Sequence, residues 1–272
     1  MPLFSTRAIE DFAIGNILLR DHHAAFAGQG LRTHPHAWLV GEDVARLSAS
    51  GSLTLVDPEG TPLAWVGEIP DAGKQLFAAH SFLIVHPWDL LRANELHVGA
   101  LHETRIEGEI HPNAVVEGVL QLGPGSRILP GVFIEGNVVI GANCKIGPNC
   151  YLRGSTSIGD RCHIGNAVEI KNSLILSGTN VGHLSYVGDS VLGEKVNLGA
   201  GTMTSNLRHD GKNHLSEVAG ALVDTGRRKF GCIAGDGVHT GINTAIYPGR
   251  KLWPGTSTRP GEIVQRDVRG SL

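Results

Sequence analysis

From Ile110 onward, aliphatic residues recur every six positions: Ile110, Val116, Leu122, Ile128, Ile134, Ile140, Ile146, Leu152, Ile158, Ile164, Ile170 and Leu176. Such a run in one frame has a chance probability below roughly one in ten million if about a quarter of residues are Ile, Leu or Val. A period of six fits neither an amphipathic helix nor a simple hairpin array. It is the spacing of a hexapeptide β-helix, in which three six-residue edges close one triangular coil of about eighteen residues. The fifth position of each hexad is small or compact (Ala114, Ser126, Val132, Val138, Cys144, Cys150, Thr156, Cys162), as the tight inner corners of such a prism require. Glycine, asparagine and aspartate between the hexads supply the corner conformations.

The pattern predicts a slip after Leu176, with the frame resuming at Tyr186, Leu192, Leu198 and Thr204. It is lost between Asn206 and about Cys232, then returns at Ala234, Thr240, Ile246, Leu252, Thr258 and Val264. Roughly seven coils result, about 33 Å of stacked strands. The segment at about 207–232 leaves the prism as an inserted loop, and long loops on a rigid scaffold usually carry function. Residues 1–98 read differently. IEDFAIGNILLRDHHAAF has helical apolar spacing, SLTLVDPEGTPLAWVG reads as two strands around a Pro-Glu-Gly turn, and HPWDLLRANELH reads as a helix with Pro87 near its start. The expectation is a mainly β chain: a β-helix over 99–272 preceded by a small α+β domain over 1–98. That domain would cover the open N-terminal edge of the coil.

Composition sharpens this picture. Gly is 37 of 272 residues, so turns are frequent, and only 5% of residues are aromatic. Lys and Arg number 23 against 26 Asp and Glu, a net charge of −3, which argues against a general nucleic-acid binder. No apolar run is long enough to span a bilayer, and MPLFSTRAIEDF lacks a secretory signature, so a cytoplasmic protein with no membrane partner is expected. Cys144, Cys150 and Cys162 are spaced by multiples of the repeat and should stack inside the coil as small hydrophobes rather than bind zinc. Unpaired buried thiols fit a reducing compartment.

Four strings carry more than the repeat: YLRG (151–154), NAVEIKNS (166–173), GHLSYVGD (182–189) and EKVNLGAGTMTSN (194–206). With them, about Ile110 to Val268 resembles the left-handed β-helix acyltransferases. The resemblance is greatest to the acetyltransferase domain of the bifunctional glucosamine-1-phosphate acetyltransferase/N-acetylglucosamine-1-phosphate uridyltransferases. NLRHDGK and GRRKFGCIAGDGVHTGINTAIYPGRK are similar to the archaeal-type version, and HPWDLLRANE resembles the helix joining the domains of related sugar nucleotidyltransferases.

The resemblance implies a left-handed coil, a homotrimer, and acetyl transfer from acetyl-CoA to the amine of glucosamine-1-phosphate or a related amino-sugar phosphate or sugar nucleotide. It implies no metal. His183 matches the catalytic base, a role suited to an imidazole accepting a proton as the amine attacks the thioester. Asn206 matches a residue near the amine and thioester. Arg153 and Lys171 match a phosphate clamp, and their spacing of one coil stacks them on one face. Tyr186, Asn197 and, past a loop of altered length, Lys212 match sugar-site residues, and Ala200 matches a backbone contact to acetyl-CoA.

The sequence also departs from the pattern. The Gly-rich nucleotide loop of the uridyltransferase is missing, Gly28-Gln29-Gly30 lacks its Thr-Arg pair, and 98 residues are too few for that domain, so uridylyl transfer is not expected. A separate nucleotidyltransferase is then a candidate partner. Ile242 stands where a serine lies near the thioester, and the cofactor-binding tail has no counterpart before Leu272. Arg227, Arg228 and Lys229 offer substitute cations for the CoA phosphates. Two other readings stay open. One is a non-catalytic sugar-nucleotide-binding or regulatory subunit. The other, resting on the closely spaced His209 and His214, is a zinc-dependent enzyme like the β-helical carbonic anhydrases. His22, His23, His34 and His36 read as surface residues.

Overall fold

The computed structural model describes residues 1–27 and 30–270; Gly28 and Gln29 of the Gly-Gln-Gly fragment lie outside the described residues. The chain forms two compact units, one of Met1–Thr6, Ile14–Asn16 and Leu90–Leu272, the other of Arg7–Ala13 and Ile17–Asp89. No helix among the described residues is long and apolar enough to cross a membrane.

The larger unit is a parallel β-helix with three faces, whose sheets hold six, eight and eight strands. It is therefore about one coil taller than the hexads from Ile110 predict, because Arg105–Ile106 already pairs with Leu120–Leu122. Partners are one coil apart: Ile134 lies beside Leu152, Leu152 beside Ile170, and Ile146 beside Ile164. These aliphatic side chains are fully buried in one continuous core, and each contributes roughly 1.5–3 kcal/mol by leaving water. All four cysteines are free and buried among them. Burial pushes the Cys150 and Cys232 thiols up to about 12, so they remain protonated packing groups.

The frame slip is placed differently from the sequence reading. Ile158 pairs with Ile175, and Ile175 with Leu192. The interior ladder thus runs Ile170, Ile175, Val181, Val187, Leu192, Leu198, while Tyr186 faces outward. The cause is two shortened corners. Between Arg153 and Thr156 the chain turns through Gly154 and Ser155. One coil later Asn172 alone joins Lys171 to Ser173, and in the next Asp189 alone joins Gly188 to Ser190. Both single residues are left-handed, with φ of 46° and 50°. Asn and Asp tolerate that conformation better than other side chains do. Each corner is one residue shorter, and two polar side chains stack at it.

The inserted segment contains a hairpin, Leu215–Val218 with Ala221–Asp224, closed by Ala219 and Gly220 at φ 49° and 85°. Two successive positive φ values match the right-handed strand twist. Lys251, 1% exposed, ties this hairpin to the coil. Its ammonium donates to Ser216 Oγ at 2.8 Å and to the Glu217 carbonyl at 2.8 Å, and it pairs with Asp267 at 2.9 Å. Lys251→Met is expected to cost about 3–5 kcal/mol, because it strands a mostly buried carboxylate. Urea denaturation checks this; an unchanged midpoint would show that the pair contributes nothing.

In the smaller unit the two strands around the Pro-Glu-Gly turn are present as Thr54–Val56 and Pro62–Val66. They join Leu31–Thr33 and Gln75–Phe77 in a four-stranded sheet. Its core combines Leu31, Leu55 and Leu63 with Val44 and Leu47 of helix Gly41–Ser50. Helix Pro87–Gly99 starts at its proline, as predicted. The helical spacing over residues 9–26 is only partly realised, since the helix begins at Leu19. Gly15 and Asn16, at φ 55° and 63°, instead turn the chain between strands Ala13–Ile14 and Ile17–Leu18. Nor are His22 and His23 merely superficial. His22 stacks on Trp38 at 4.0 Å, and the rings bond to the carbonyls of Leu39 and Ala37.

Candidate functional site

Arg153 and Lys171 lie directly beside each other on adjacent strands, Tyr151–Arg153 and Glu169–Lys171. They line one cleft of about 410 Å³ together with Gly99, Glu135, Asn137 and Ser155. Carboxylates alternate with these cations. Arg153 is 3.1 Å from Glu169 and 3.6 Å from Glu135, and Lys171 is 3.1 Å from Asp189. The three acids exceed the two bases by one charge, and each cation is held in place by at least one carboxylate.

Asp189 is the hub of the site. Its buried carboxylate accepts from Lys171 Nζ, from Asn172 Nδ2 at 2.8 Å and from Asn206 Nδ2 at 2.5 Å. Asn206 also donates to Tyr186 Oη at 3.0 Å. Burial first, then the charges of Asp189 and Glu169, push the Tyr186 phenol up, so it keeps its proton at neutral pH. Arg153, Lys171, Tyr186 and Asn206 are thereby brought together. Sequence reasoning missed Asp189 and Asn172 as site residues; the signal was the misplaced frame slip, which marks where two corners are one residue short.

His183 lies on the adjacent face, at the end of strand Asn180–His183, exposed and in register with Asn166. Gly201 N–H donates to the His183 carbonyl at 3.2 Å, and Asn243 N–H to the Ala200 carbonyl at 2.7 Å. His183, Ala200 and Ile242 therefore occupy one edge of the prism, a coil apart from one another. Strand Tyr186–Gly188 separates this edge from the corner of Asp189. Three residues span roughly 10 Å, the reach of one hexose phosphate.

The remaining residues stand apart. Asn197 begins strand Asn197–Leu198 beside Asn180. Lys212 is exposed in the inserted segment. Arg228 and Lys229 are exposed, whereas Arg227 is 15% exposed and forms a two-armed ion pair with Glu95. His209 is exposed, while His214 is buried, packs edge-on against Phe230 and donates from Nε2 to the Asn206 carbonyl at 3.3 Å. Neither joins a group of three or more possible metal ligands among the described residues.

Burial holds the His214 imidazole below its ordinary value, and the bond to the Asn206 carbonyl only partly opposes this. The unfolded chain takes up a proton below about pH 6.5 that the folded chain resists. This contribution to stability is therefore complete above that pH and lost as the pH falls. His97 and His23, also depressed by burial, act in the same direction. The urea midpoint is expected to fall between about pH 7 and pH 5, less steeply in His214→Gln. Identical slopes would remove His214 from the effect.

The family model described as "GMPPB C-terminal domain" matches residues 134–250. The bifunctional protein GlmU of Methanococcus aeolicus is 39% identical over 214 residues, covering 74% of this chain and 52% of that protein. The bifunctional sugar-1-phosphate nucleotidylyltransferase/acetyltransferase of Sulfurisphaera tokodaii is 49% identical over 102 residues, 38% of this chain and 25% of its own. Among solved structures, the acetyltransferase domain of PglB from Neisseria gonorrhoeae aligns over 80% of this chain and 90% of its own. That alignment has 16% identity and a TM-score of 0.33, too loose a superposition to bear on the site. The chain spans about a fifth to a half of the length of the curated relatives it matches. Its C-terminal region is a hexapeptide-repeat β-helix homologous to part of the bifunctional sugar-1-phosphate nucleotidylyltransferase/acetyltransferases.

Proposed function

We propose that this protein transfers an acetyl group from acetyl-CoA to the amine of glucosamine-1-phosphate or a closely related amino-sugar phosphate. The observation that carries this reading is the cleft in which Arg153 and Lys171 stack in register among Glu135, Glu169 and Asp189. An arginine fork and a lysine point charge suit a phosphate dianion, and the acids hold the two cations in place. Tyr186 binds a sugar hydroxyl, while Asn197 and Lys212, which stand apart from the cleft within one prism, meet the sugar from a neighbouring prism of the homotrimer. His183 accepts the amine proton as the amine nitrogen bonds to the acetyl carbon. The bond to sulfur then breaks and the thiolate of CoA leaves. Backbone amides polarise the carbonyl, while Asn206, whose amide is bonded to Asp189 and Tyr186, stays on the sugar-phosphate side.

On the donor side, the edge of Ala200 and Ile242 carries the thioester, and the exposed Arg228 and Lys229 meet the CoA phosphates, with Arg227 behind them. A homotrimer fits the exposed Leu184, Met203 and Ile242 near this edge, which a second prism would cover. The reading also includes cytoplasmic location and a separate uridylyl-transferring partner. Thiol release from acetyl-CoA, measured across a panel of amino-sugar phosphates, tests it. Release that depends on an amino-sugar phosphate supports it; no release with any member of the panel overturns it.

A further inference from the structure

The bonds of Asp189 lead outward to Glu95, the last residue of the HPWDLLRANE string, which lies outside the repeat and to which the sequence assigns no role at the site. Glu95 lies on helix Pro87–Gly99, whose last residue, Gly99, lines the cleft. Its Oε1 accepts from Asn172 Nδ2 at 2.5 Å, and that same nitrogen donates to Asp189 Oδ1 at 2.8 Å. Its two oxygens also receive the Arg227 fork, Nη1 to Oε2 at 3.0 Å and Nη2 to Oε1 at 2.5 Å. One carboxylate thus joins the helix, the shortened corner and the far end of the inserted segment. The near end of that segment is Asn206, which is itself bonded to Asp189.

We propose that Glu95 is a positioning residue for the sugar-phosphate cleft, an inference that rests on the function proposed above. Its charge fixes the mostly buried Arg227 against the coil and fixes Asn172 towards Asp189. Asp189 in turn holds Lys171 and Asn206 at the spacing the ligand meets. Arg227 then anchors the inserted segment, and the donor phosphates are left to Arg228 and Lys229. Without the carboxylate, Arg227 is a nearly buried charge with no acid beside it, and the two ends of the segment lose their common support.

The test uses the full chain carrying Glu95→Gln, which keeps the shape and removes the charge. Hydrogen exchange across residues 207–230 is expected to quicken by about tenfold or more, with the interior strands of the coil unchanged. Calorimetric affinity for glucosamine-1-phosphate should fall by about tenfold, and KM for acetyl-CoA should rise as well, because the loosened segment carries Arg228 and Lys229. Arg227→Met should reproduce these effects, and the double variant should be no worse than either alone, since both substitutions break one pair. If Glu95→Gln does not fold, Glu95→Asp keeps the charge on a shorter arm and is expected to show the same effects at smaller size.

Unchanged exchange in residues 207–230, or faster exchange with unchanged sugar-phosphate affinity, overturns the positioning role while leaving acetyl transfer intact. A parent protein that binds the sugar phosphate but releases no thiol overturns acetyl transfer, and the affinity loss in Glu95→Gln still supports positioning. A parent protein that does neither overturns both.

Discussion

His183→Ala is expected to lower kcat by about 10²–10⁴-fold, the usual contribution of a positioned general base. The side chain is exposed on the edge of the prism, so its loss opens no cavity in the aliphatic ladder and assembly should be unaffected. Binding of the sugar phosphate should persist, because Arg153 and Lys171 lie across strand Tyr186–Gly188 and are untouched. Turnover of the variant should recover in part at higher pH, where more of the amine is already unprotonated and a base matters less. Steady-state kinetics with circular dichroism as a folding control decides the matter. Near-parent turnover at neutral pH would remove His183 from proton transfer, and failure to assemble would make it a structural residue.

Arg153→Met should raise KM for the amino-sugar phosphate by roughly 10–100-fold, the range expected when one charge-assisted pair to a phosphate is lost. The effect is enlarged by what remains, since Glu135 and Glu169 then face the phosphate without the cation that stands between them. Stability should change little, because Arg153 is about a third exposed and its pairs are screened by water. KM for acetyl-CoA should stay near the parent value, as expected for a contact made only to the other substrate. Equal losses for both substrates, or a large fall in the denaturation midpoint, would show that Arg153 supports the coil rather than the ligand.

The sequence made the coil legible because burial in a triangular prism constrains every sixth residue. Ile134, Leu152 and Ile170 stack as their spacing of eighteen requires. The same arithmetic placed Arg153 beside Lys171. Position along a regular repeat translates directly into position on a face. What the repeat could not reveal was where the regularity fails. Asn172 and Asp189 each close a corner with one residue fewer; the hexad count read past Asn172 before registering a slip after Leu176, and past Asp189 between Tyr186 and Leu192 without registering one. The pairing of Glu95 with Arg227, a residue read from the sequence as a cation for the CoA phosphates, was illegible for a different reason. The two are 132 positions apart and meet only through the inserted segment, whose local pattern contains a hairpin but not its docking. The first helix was misjudged because apolar spacing over residues 9–26 carries no penalty for the left-handed turn that Gly15 and Asn16 adopt.

The most direct test of the central claim is the mass and amine reactivity of the product formed from glucosamine-1-phosphate and acetyl-CoA. The account predicts a sugar phosphate that has gained one acetyl group and lost its free amine, formed mole for mole with free CoA thiol and nearly abolished in His183→Ala. An unmodified sugar phosphate after acetyl-CoA has been consumed, or product formed at the parent rate by His183→Ala, would contradict it.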